Sequence, residues 1–390
     1  MASIVQRNKS FSVVYTVYDG GKKKQKWETY HSYEAALRRK EQLDLVQQHE
    51  KERAQYREGT LAQFLEEYVE LYGRIHWGCS TYTSNEGLIR NYIIPFMGSM
   101  RVTEFSPKVI AALYGKLQSN PKITPSVLTN IHKLLHSAFE QAVLWEYVPR
   151  NPFRKANIPK VFPSEIPMLT DDEIKILIQN CDNQMLSISI HLAFAGSLRK
   201  GEILALTWDD VDFQKGTISV NKTLKRVRRD AVDVLNGKDI LYQFPAVFDE
   251  GQTVTVLKRP KTKSSIRTVY LPDYVLDVLQ EWKETLKPVK RNHPDLILRY
   301  SNGRPISEET LPRLLEKQLL QLSLPVVSFH SLRHSSISYK LVLTGGNIKA
   351  VQGDSGHAQA EMITERYGHI IDSCRKQCAQ EFEKEFYKGM

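Results

Sequence analysis

The stretch 153–168 constrains the fold more than any other. Pro159, Pro163 and Pro167 are spaced through it, with the basic residues Arg154, Lys155 and Lys160 in the same stretch, which reads as a semi-extended connector. The chain on either side must therefore fold around separate cores, and 390 residues are enough for two or three. Each side opens on its own capping box, Thr60-x-x-Gln63 and Thr170-x-x-Glu173.

Residues 1–57 read as a small sheet with a helix. Ser10 to Tyr18 is rich in β-branched and aromatic residues and ends in the turn signal Asp19-Gly20-Gly21. A second strand is expected from Lys26 to Tyr30, then a charged helix from near Ser32, with 47–58 as helix end plus linker. Residues 58–152 change to a helical period. Leu61, Phe64, Leu65, Tyr68, Leu71 and Tyr72 form one apolar face, and helices are expected over about 83–96, after Ser106-Pro107 and after Thr124-Pro125. The last of these turns Leu128, Ile131, Leu135, Ala138 and Ala142 inward. Residues 169–390 mix both periods. A helix apolar nearly all round is expected at 185–195, strands at 217–220, 253–257 and 267–271, and helices near 274–284 and 308–320.

Lys and Arg outnumber Asp and Glu by ten, and the first forty residues hold nine basic against three acidic. Concentrated positive charge draws polyanions by counterion release, so nucleic acid is the expected partner. Lys22, Lys23, Lys24 and Lys26, on the expected first hairpin, are the candidate phosphate contacts, with a plain solvated basic surface as the alternative. No apolar run approaches the ~20 residues of a membrane span, and the N-terminus lacks a secretory core. A cytoplasmic chain with no membrane partner is expected. Cys79, Cys181, Cys374 and Cys378 are too few for a disulfide scaffold and read as reduced thiols.

Four segments of the last part carry chemistry-bearing side chains. Gly196-Ser197-Leu198-Arg199-Lys200-Gly201-Glu202 puts an Arg beside a buried helix, where it needs a carboxylate or a phosphate. Arg259-Pro260-Lys261-Thr262-Lys263-Ser264-Ser265 sits between two strands. In His330-Ser331-Leu332-Arg333-His334 the spacing puts His330 and Arg333 on one helical face. His330 and His334 also have metal-ligand spacing, but no Glu follows His330 as a zinc peptidase requires, and no metal is expected. The fourth runs from Gly356-His357 to Tyr367-Gly368-His369.

Together these resemble the tyrosine recombinase (phage-type integrase) family, in which the order along the chain is Arg, Lys, His-x-x-Arg, His or Trp, Tyr. Arg199, Lys261, His330, Arg333, His357 and Tyr367 match that order one by one. The resemblance extends over the whole chain and is similar to integrases of Gram-positive phages and of integrative or conjugative elements. It implies a multidomain fold: an arm-site-binding sheet and helix (1–57), an all-α core-binding domain (58–152), the connector 153–168, and a mixed, mainly α, catalytic domain (169–390). It implies a site-specific DNA recombinase that integrates or excises a mobile element, working on double-stranded DNA as a homo-tetramer joined by exchange of C-terminal helices. An accessory DNA-bending or directionality protein would assist. Tyr367 would attack phosphorus to give a 3′-phosphotyrosyl enzyme, with Arg199 and Arg333 on the non-bridging oxygens and His330 taking the phenol proton. His357 would hydrogen-bond the phosphate or pack behind it, Lys261 (or Lys263) would protonate the leaving 5′-oxygen, and Glu202 would orient Arg199 or a His. No cofactor is implied, since the covalent bond conserves the phosphodiester, and the chain has no GxxxxGK[ST] sequence. A type IB topoisomerase, or a non-catalytic DNA-binding regulator on the same fold, is the alternative.

Two stretches stand outside the family pattern. Residues 221–252 form an insertion with Arg226, Arg228 and Arg229, which would touch DNA, and an apolar run 240–245, which would extend a sheet, meet a neighbour or form a plain packed hairpin. After Tyr367 a helix with Ile371, Cys374, Cys378, Phe382 and Phe386 on one face would pack on its own core or dock on a neighbouring protomer.

Overall fold

The computed structural model describes residues 2–7, 10–19, 22–54, 58–121, 123–156, 158, 167–245, 251–287, 293–356 and 378–387. Two compact units emerge, residues 1–77 with 84–162, and residues 78–83 with 163–390.

The first unit begins with an antiparallel sheet of β1 (Ser3–Arg7), β2 (Ser10–Asp19) and β3 (Lys22–Tyr30), in that order. Strand β1 was not expected: it is short and lacks the aromatic density of β2, but it completes the sheet. Helix α1 (Tyr33–Ala54) takes up most of the polar stretch 47–58 read as helix end plus linker. Val13 and Ala36 are fully buried between sheet and helix. The Glu28 carboxylate ties the two layers, accepting from Tyr30 Oη (2.8 Å) and from Arg39 Nε (2.8 Å). The hydrogen bonds from Arg39, Tyr15 and Tyr30 hold Glu28 down at about 2. Register pairs Lys24 with Val17 and Lys26 with Tyr15, so both lysines lie on the α1 side of the pleat, towards the hairpin tip. Trp27 faces the other way, 47% exposed, with the Arg7 guanidinium 4.9 Å from its ring.

The helical part contains α2 (Leu61–Tyr68), α3 (Arg74–His76), α4 (Cys79–Leu88), α5 (Ile94–Met97), α6 (Pro107–Gln118) and α7 (Pro125–Leu144). The Thr60 capping box is present, with Gln63 N–H donating to Thr60 Oγ1 and Thr60 N–H donating back to Gln63 Oε1. Leu61, Phe64, Leu65 and Tyr68 are buried, but Leu71 is 52% exposed, against the expected face. The π-helical turn Val69–Gly73 explains this: an i→i+5 turn adds a residue to the repeat and rotates the later side chains off the stripe. A second such turn, Ile89–Ile93, joins α4 to α5, and α4 starts four residues earlier than expected. Phe64 packs on Phe139, Trp145 and Tyr147 at ring separations of 5.0–6.2 Å. The expected connector starts as a 3₁₀ turn, Pro152–Lys155, whose Phe153 is buried against Phe139. Residues 159–166 of it lie outside the described residues.

The second unit opens with α8 (Asp171–Gln179), capped by Thr170 and Glu173 as expected, and α9 (Gln184–Phe194), buried on nearly every side. Then come α10 (Lys200–Ala205), β4 (Val211–Asp212), β5 (Thr217–Val220), β6 (Thr223–Arg228), α11 (Arg229–Val234), β7 (Ile240–Gln243), β8 (Thr253–Lys258) and β9 (Arg267–Tyr270). Helices α12 (Asp273–Thr285), α13 (Thr310–Gln321) and α14 (Phe329–Leu343) complete the core around α9, and α15 (Ile348–Ser355) packs its Val351 on Ile337 and Leu341 of α14. The strands form two antiparallel sheets, β4-β5-β9 and β6-β8-β7. The insertion thus supplies β6, α11 and β7, and its two strands flank β8 in a second sheet. Val227, Ala231, Val232 and Leu235 pack with Val254, Val256 and Cys79 in a small separate core. The Lys261 segment does lie between two strands, but β8 and β9 belong to different sheets, so it is a crossover between them and not a hairpin tip. Near the C-terminus, residues 378–385 are helical and exposed, Phe382 at 55%. No helix among the described residues is long and apolar enough to cross a membrane.

Candidate active site

Arg199 is placed by the end of the buried helix α9. Leu198 N–H donates back to Leu192 O (3.2 Å), and Ser197 takes a left-handed backbone, φ 53°, so the chain reverses and Arg199 becomes the N-cap of α10. Gly201 lets α10 lie against β6, since a Cβ there would sit 2.5 Å from Thr223 Oγ1 and 3.2 Å from Leu224 O. Glu202 then turns back on its own cap. Arg199 N–H donates to Oε2 at 2.9 Å and Arg199 Nη1 to Oε1 at 2.8 Å. The Glu202 side chain is 6% exposed, that of Arg199 37%. The expected orienting contact is therefore present, and Arg199 keeps an open side.

Sequence reasoning missed Arg267. Its guanidinium holds Glu202 from the opposite side, Nη2 to Oε2 at 2.9 Å and Nη1 to Oε1 at 3.2 Å, and its side chain is 5% exposed. Burial alone would push the Glu202 carboxyl up, but the hydrogen bond and charge of Arg267, with a smaller contribution from Arg199, bring it below its ordinary value. A signal for Arg267 does exist. It lies on the same side of β9 as the fully buried Val269, and an inward-facing Arg requires an anion.

Arg333, on the first turns of α14, is fully buried. Its Nη1 donates to Ser197 O and its Nη2 to Ser355 O. Arg199 Nη2 reaches the next carbonyl, Gly356 O, at 3.5 Å. Two arginines from distant parts of the sequence thus meet at the C-terminal end of α15, where carbonyls carry partial negative charge. Both were expected to offer paired donors to a phosphate. Arg333 also has both terminal nitrogens on backbone carbonyls, which ties the Ser197 and Ser355 segments together.

Gly356 ends α15 in the left-handed region, φ 62°, and a Cβ there would lie 3.0 Å from both Ser264 O and Arg267 Cδ. Gly356→Ala is therefore expected to destabilise the protein by about 1–2 kcal/mol, because conformation and space both forbid the methyl. Urea unfolding reads this directly; an unchanged midpoint would mean the turn relaxes at no cost.

The other candidates are less tightly gathered. Ser264 and Ser265 of the crossover dock on this cluster, the latter through Ser265 O accepting from Arg267 Nη1 at 3.2 Å, whereas Lys261 is exposed with its Nζ on Thr81 Oγ1 at 2.9 Å. His330 is exposed and Arg333, three residues further along the same helix, is buried; the His330 ring also meets that of His334 at 4.4 Å. His357, Tyr367, Ile371 and Cys374 lie outside the described residues, and of Lys22, Lys23 and Lys263 only the backbone is described. Arg228 is ion-paired to Asp230, and Arg229 opens α11. No group of three or more His, Cys, Asp or Glu among the described residues is arranged to hold a metal.

This arrangement agrees with comparisons to known proteins. The model of the phage integrase family matches residues 167–241 and 245–373, just over half of the chain, and that of the phage integrase N-terminal SAM-like domain matches 60–118. A tyrosine recombinase XerC-like protein of Caldanaerobacter subterraneus is 27% identical over 311 residues, 75% of this chain and 74% of that protein. The ICEBs1 integrase of Bacillus subtilis is 23% identical over 310 residues, 77% of each. A structure of the Tn1549 transposon integrase in complex with a circular intermediate DNA superposes with a TM-score of 0.67 at 19% identity, covering 82% of this chain and 99% of that one. A lambda integrase tetramer bound to a Holliday junction gives 0.55 at 16%, covering 91% and 92%. At these identities the two structures speak for the fold alone. The family match covers the part of the chain that holds Arg199, Arg267 and Arg333, and the chain belongs to the phage integrase family: it is a tyrosine site-specific recombinase of the kind that serves mobile elements.

Proposed function

We propose that this recombinase cleaves and rejoins duplex DNA with Tyr367 as nucleophile and Arg199, Arg333, His330, His357 and Lys261 around the scissile phosphate. One observation carries the reading: Arg199 and Arg333 donate to the consecutive carbonyls Gly356 O and Ser355 O, immediately before His357. That convergence puts two positive charges where the polyanionic reaction centre would sit.

The phenol oxygen of Tyr367 forms the new P–O bond as the bond to the 5′-oxygen breaks. His330 accepts the phenol proton, and Lys261 gives a proton to the leaving 5′-hydroxyl. The count of phosphate esters is unchanged, so a 5′-hydroxyl from a partner duplex reverses the step without an energy source. Arg199 binds a non-bridging oxygen through its open side. Arg333 fixes the Ser197 and Ser355 segments and adds its charge from the interior. His357 holds the phosphate, and Glu202 orients Arg199.

The N-terminal sheet contacts arm-type sites with Lys22, Lys23, Lys24 and Lys26, and the exposure of Lys24 and Lys26 supports this. Arg228 and Arg229 contact DNA beside the site, with the Asp230 pair reducing the contribution of Arg228. Domains run 1–57, 58–152 and 169–390. Four protomers assemble on DNA by exchange of the C-terminal helices; the exposure of residues 378–385, Phe382 included, supports docking on a neighbour over packing at home. An accessory DNA-bending or directionality protein acts with them.

The test is chemical. A nicked duplex that loses its 5′-hydroxyl fragment on cleavage traps the protein on DNA, and the DNA-linked peptide is then sequenced. The expected attachment is Tyr367; attachment at another residue overturns the reading.

A further inference from the structure

Arg267 lies in none of the catalytic motifs, yet it touches the segments that hold three of them. Its Nη1 and Nη2 hold Glu202, the carboxylate that also holds Arg199. Its Nη1 also reaches Ser265 O of the Lys261 segment, and its Nε donates to Asp354 O at 2.6 Å, three residues before His357. The Asp354 side chain is itself held by Lys340 Nζ at 2.6 Å.

The charges matter more than the strut. Glu202 is one of only two buried carboxylates among the described residues, and both its oxygens are shared between two arginines. One carboxylate and one Arg would form a neutral pair with nothing left to attract a phosphate. A second guanidinium, buried and facing away from the open side, leaves the triad with one net positive charge, and the exposed member is Arg199.

We propose that Arg267 is a positioning residue that offsets the Glu202 charge, so that the Arg199 guanidinium, still bonded to Glu202, faces the scissile phosphate from a cluster of net positive charge rather than as half of a neutral ion pair. This rests on the reading of Arg199 as a phosphate-holding group. Without Arg267 the carboxylate draws Arg199 inward and the crossover loses its anchor at Ser265.

The test is single-turnover cleavage of the nicked duplex at saturating DNA, using the full chain, with DNA affinity and thermal melting followed in parallel. Arg267→Gln is expected to slow cleavage about 10²-fold, as losing one preorganised transition-state donor does, with affinity within about threefold. Adding Glu202→Gln to it removes the charge that needed offsetting. The double variant is expected to return to within about fivefold of Glu202→Gln alone, a coupling that a packing role does not produce. Arg267→Lys keeps the charge without the fork and is expected to lose about tenfold. If Arg267→Gln does not fold, the double variant, which buries no uncompensated carboxylate, and Arg267→Lys carry the test. Cleavage by Arg267→Gln within about threefold of the parent overturns the proposal, as does a double variant about 10²-fold slower than Glu202→Gln. Arg199→Ala in the same assay separates the two claims. If it cleaves at the parental rate, the reading of Arg199 has failed, whatever Arg267 does.

Discussion

Tyr367→Phe is expected to bind its duplex as the parent does and to form no covalent adduct, a loss of at least ~10⁴-fold in cleavage. The substitution removes one oxygen and no charge. Affinity for DNA comes mostly from Lys and Arg on phosphates, so it should stay within about twofold. Chemistry, by contrast, has no substitute at that position. A phenol, with a pKa near 10, reacts only where neighbouring guanidinium charge favours its anion. Other tyrosines lie elsewhere in the unit; Tyr270 and Tyr274, for example, are exposed on β9 and α12. The measurement is denaturing gel retention of protein on a nicked duplex, beside a native shift assay on the same preparation. An adduct that persists with Phe at 367 would remove Tyr367 as the nucleophile, and a lost shift would mean the phenol holds DNA rather than cutting it.

How far the fold could be read in the sequence depends on the range of the interactions. Capping boxes are local, so Thr60 and Thr170 marked the starts of α2 and α8. Helix α9 could be read because a segment apolar on all sides has no other place than a core. The π-turn at Val69–Gly73 could not: an added residue in a helical repeat leaves no mark until Leu71 is seen pointing outward. Nor could the pairing of β8 with β6 and β7, where two strands of the insertion flank β8 and take it out of any hairpin with β9. In the site, Arg199 and Glu202 lie three apart on one cap, and their contact was expected. The bond from Arg267 to the same carboxylate spans sixty-five positions and exists only after β9 has paired with β5, where Arg267 lies opposite Val220. Sequence order identified the candidate side chains of the site and missed Arg267, which shares the Glu202 carboxylate with Arg199.

Arg333→Lys is the sharper probe of how the site is held. Arg333 is fully buried, and its two terminal nitrogens join Ser197 O, after α9, to Ser355 O, at the end of α15. A Lys retains the charge but has a single ammonium on a flexible stem, which cannot reach two carbonyls with the geometry of a planar fork. At least one buried carbonyl is then left without its donor, at about 1–3 kcal/mol. The larger effect is on cleavage, expected to fall about 10³-fold, since Arg199 meets the adjoining carbonyl Gly356 O and both segments shift together. Arg333→Ala is expected to cost about 3–5 kcal/mol as well, through the lost packing and the two unsatisfied carbonyls, so Lys is the variant in which stability and chemistry separate. Thermal melting and single-turnover cleavage on one preparation check both. If Arg333→Lys melts slightly lower and cleaves within about threefold of the parent, the convergence of the two guanidiniums on the end of α15 has no part in catalysis. If it melts slightly lower and cleaves a thousandfold more slowly, the tie from Ser197 to Ser355 is what keeps Arg199 and the residues after Gly356 in working register.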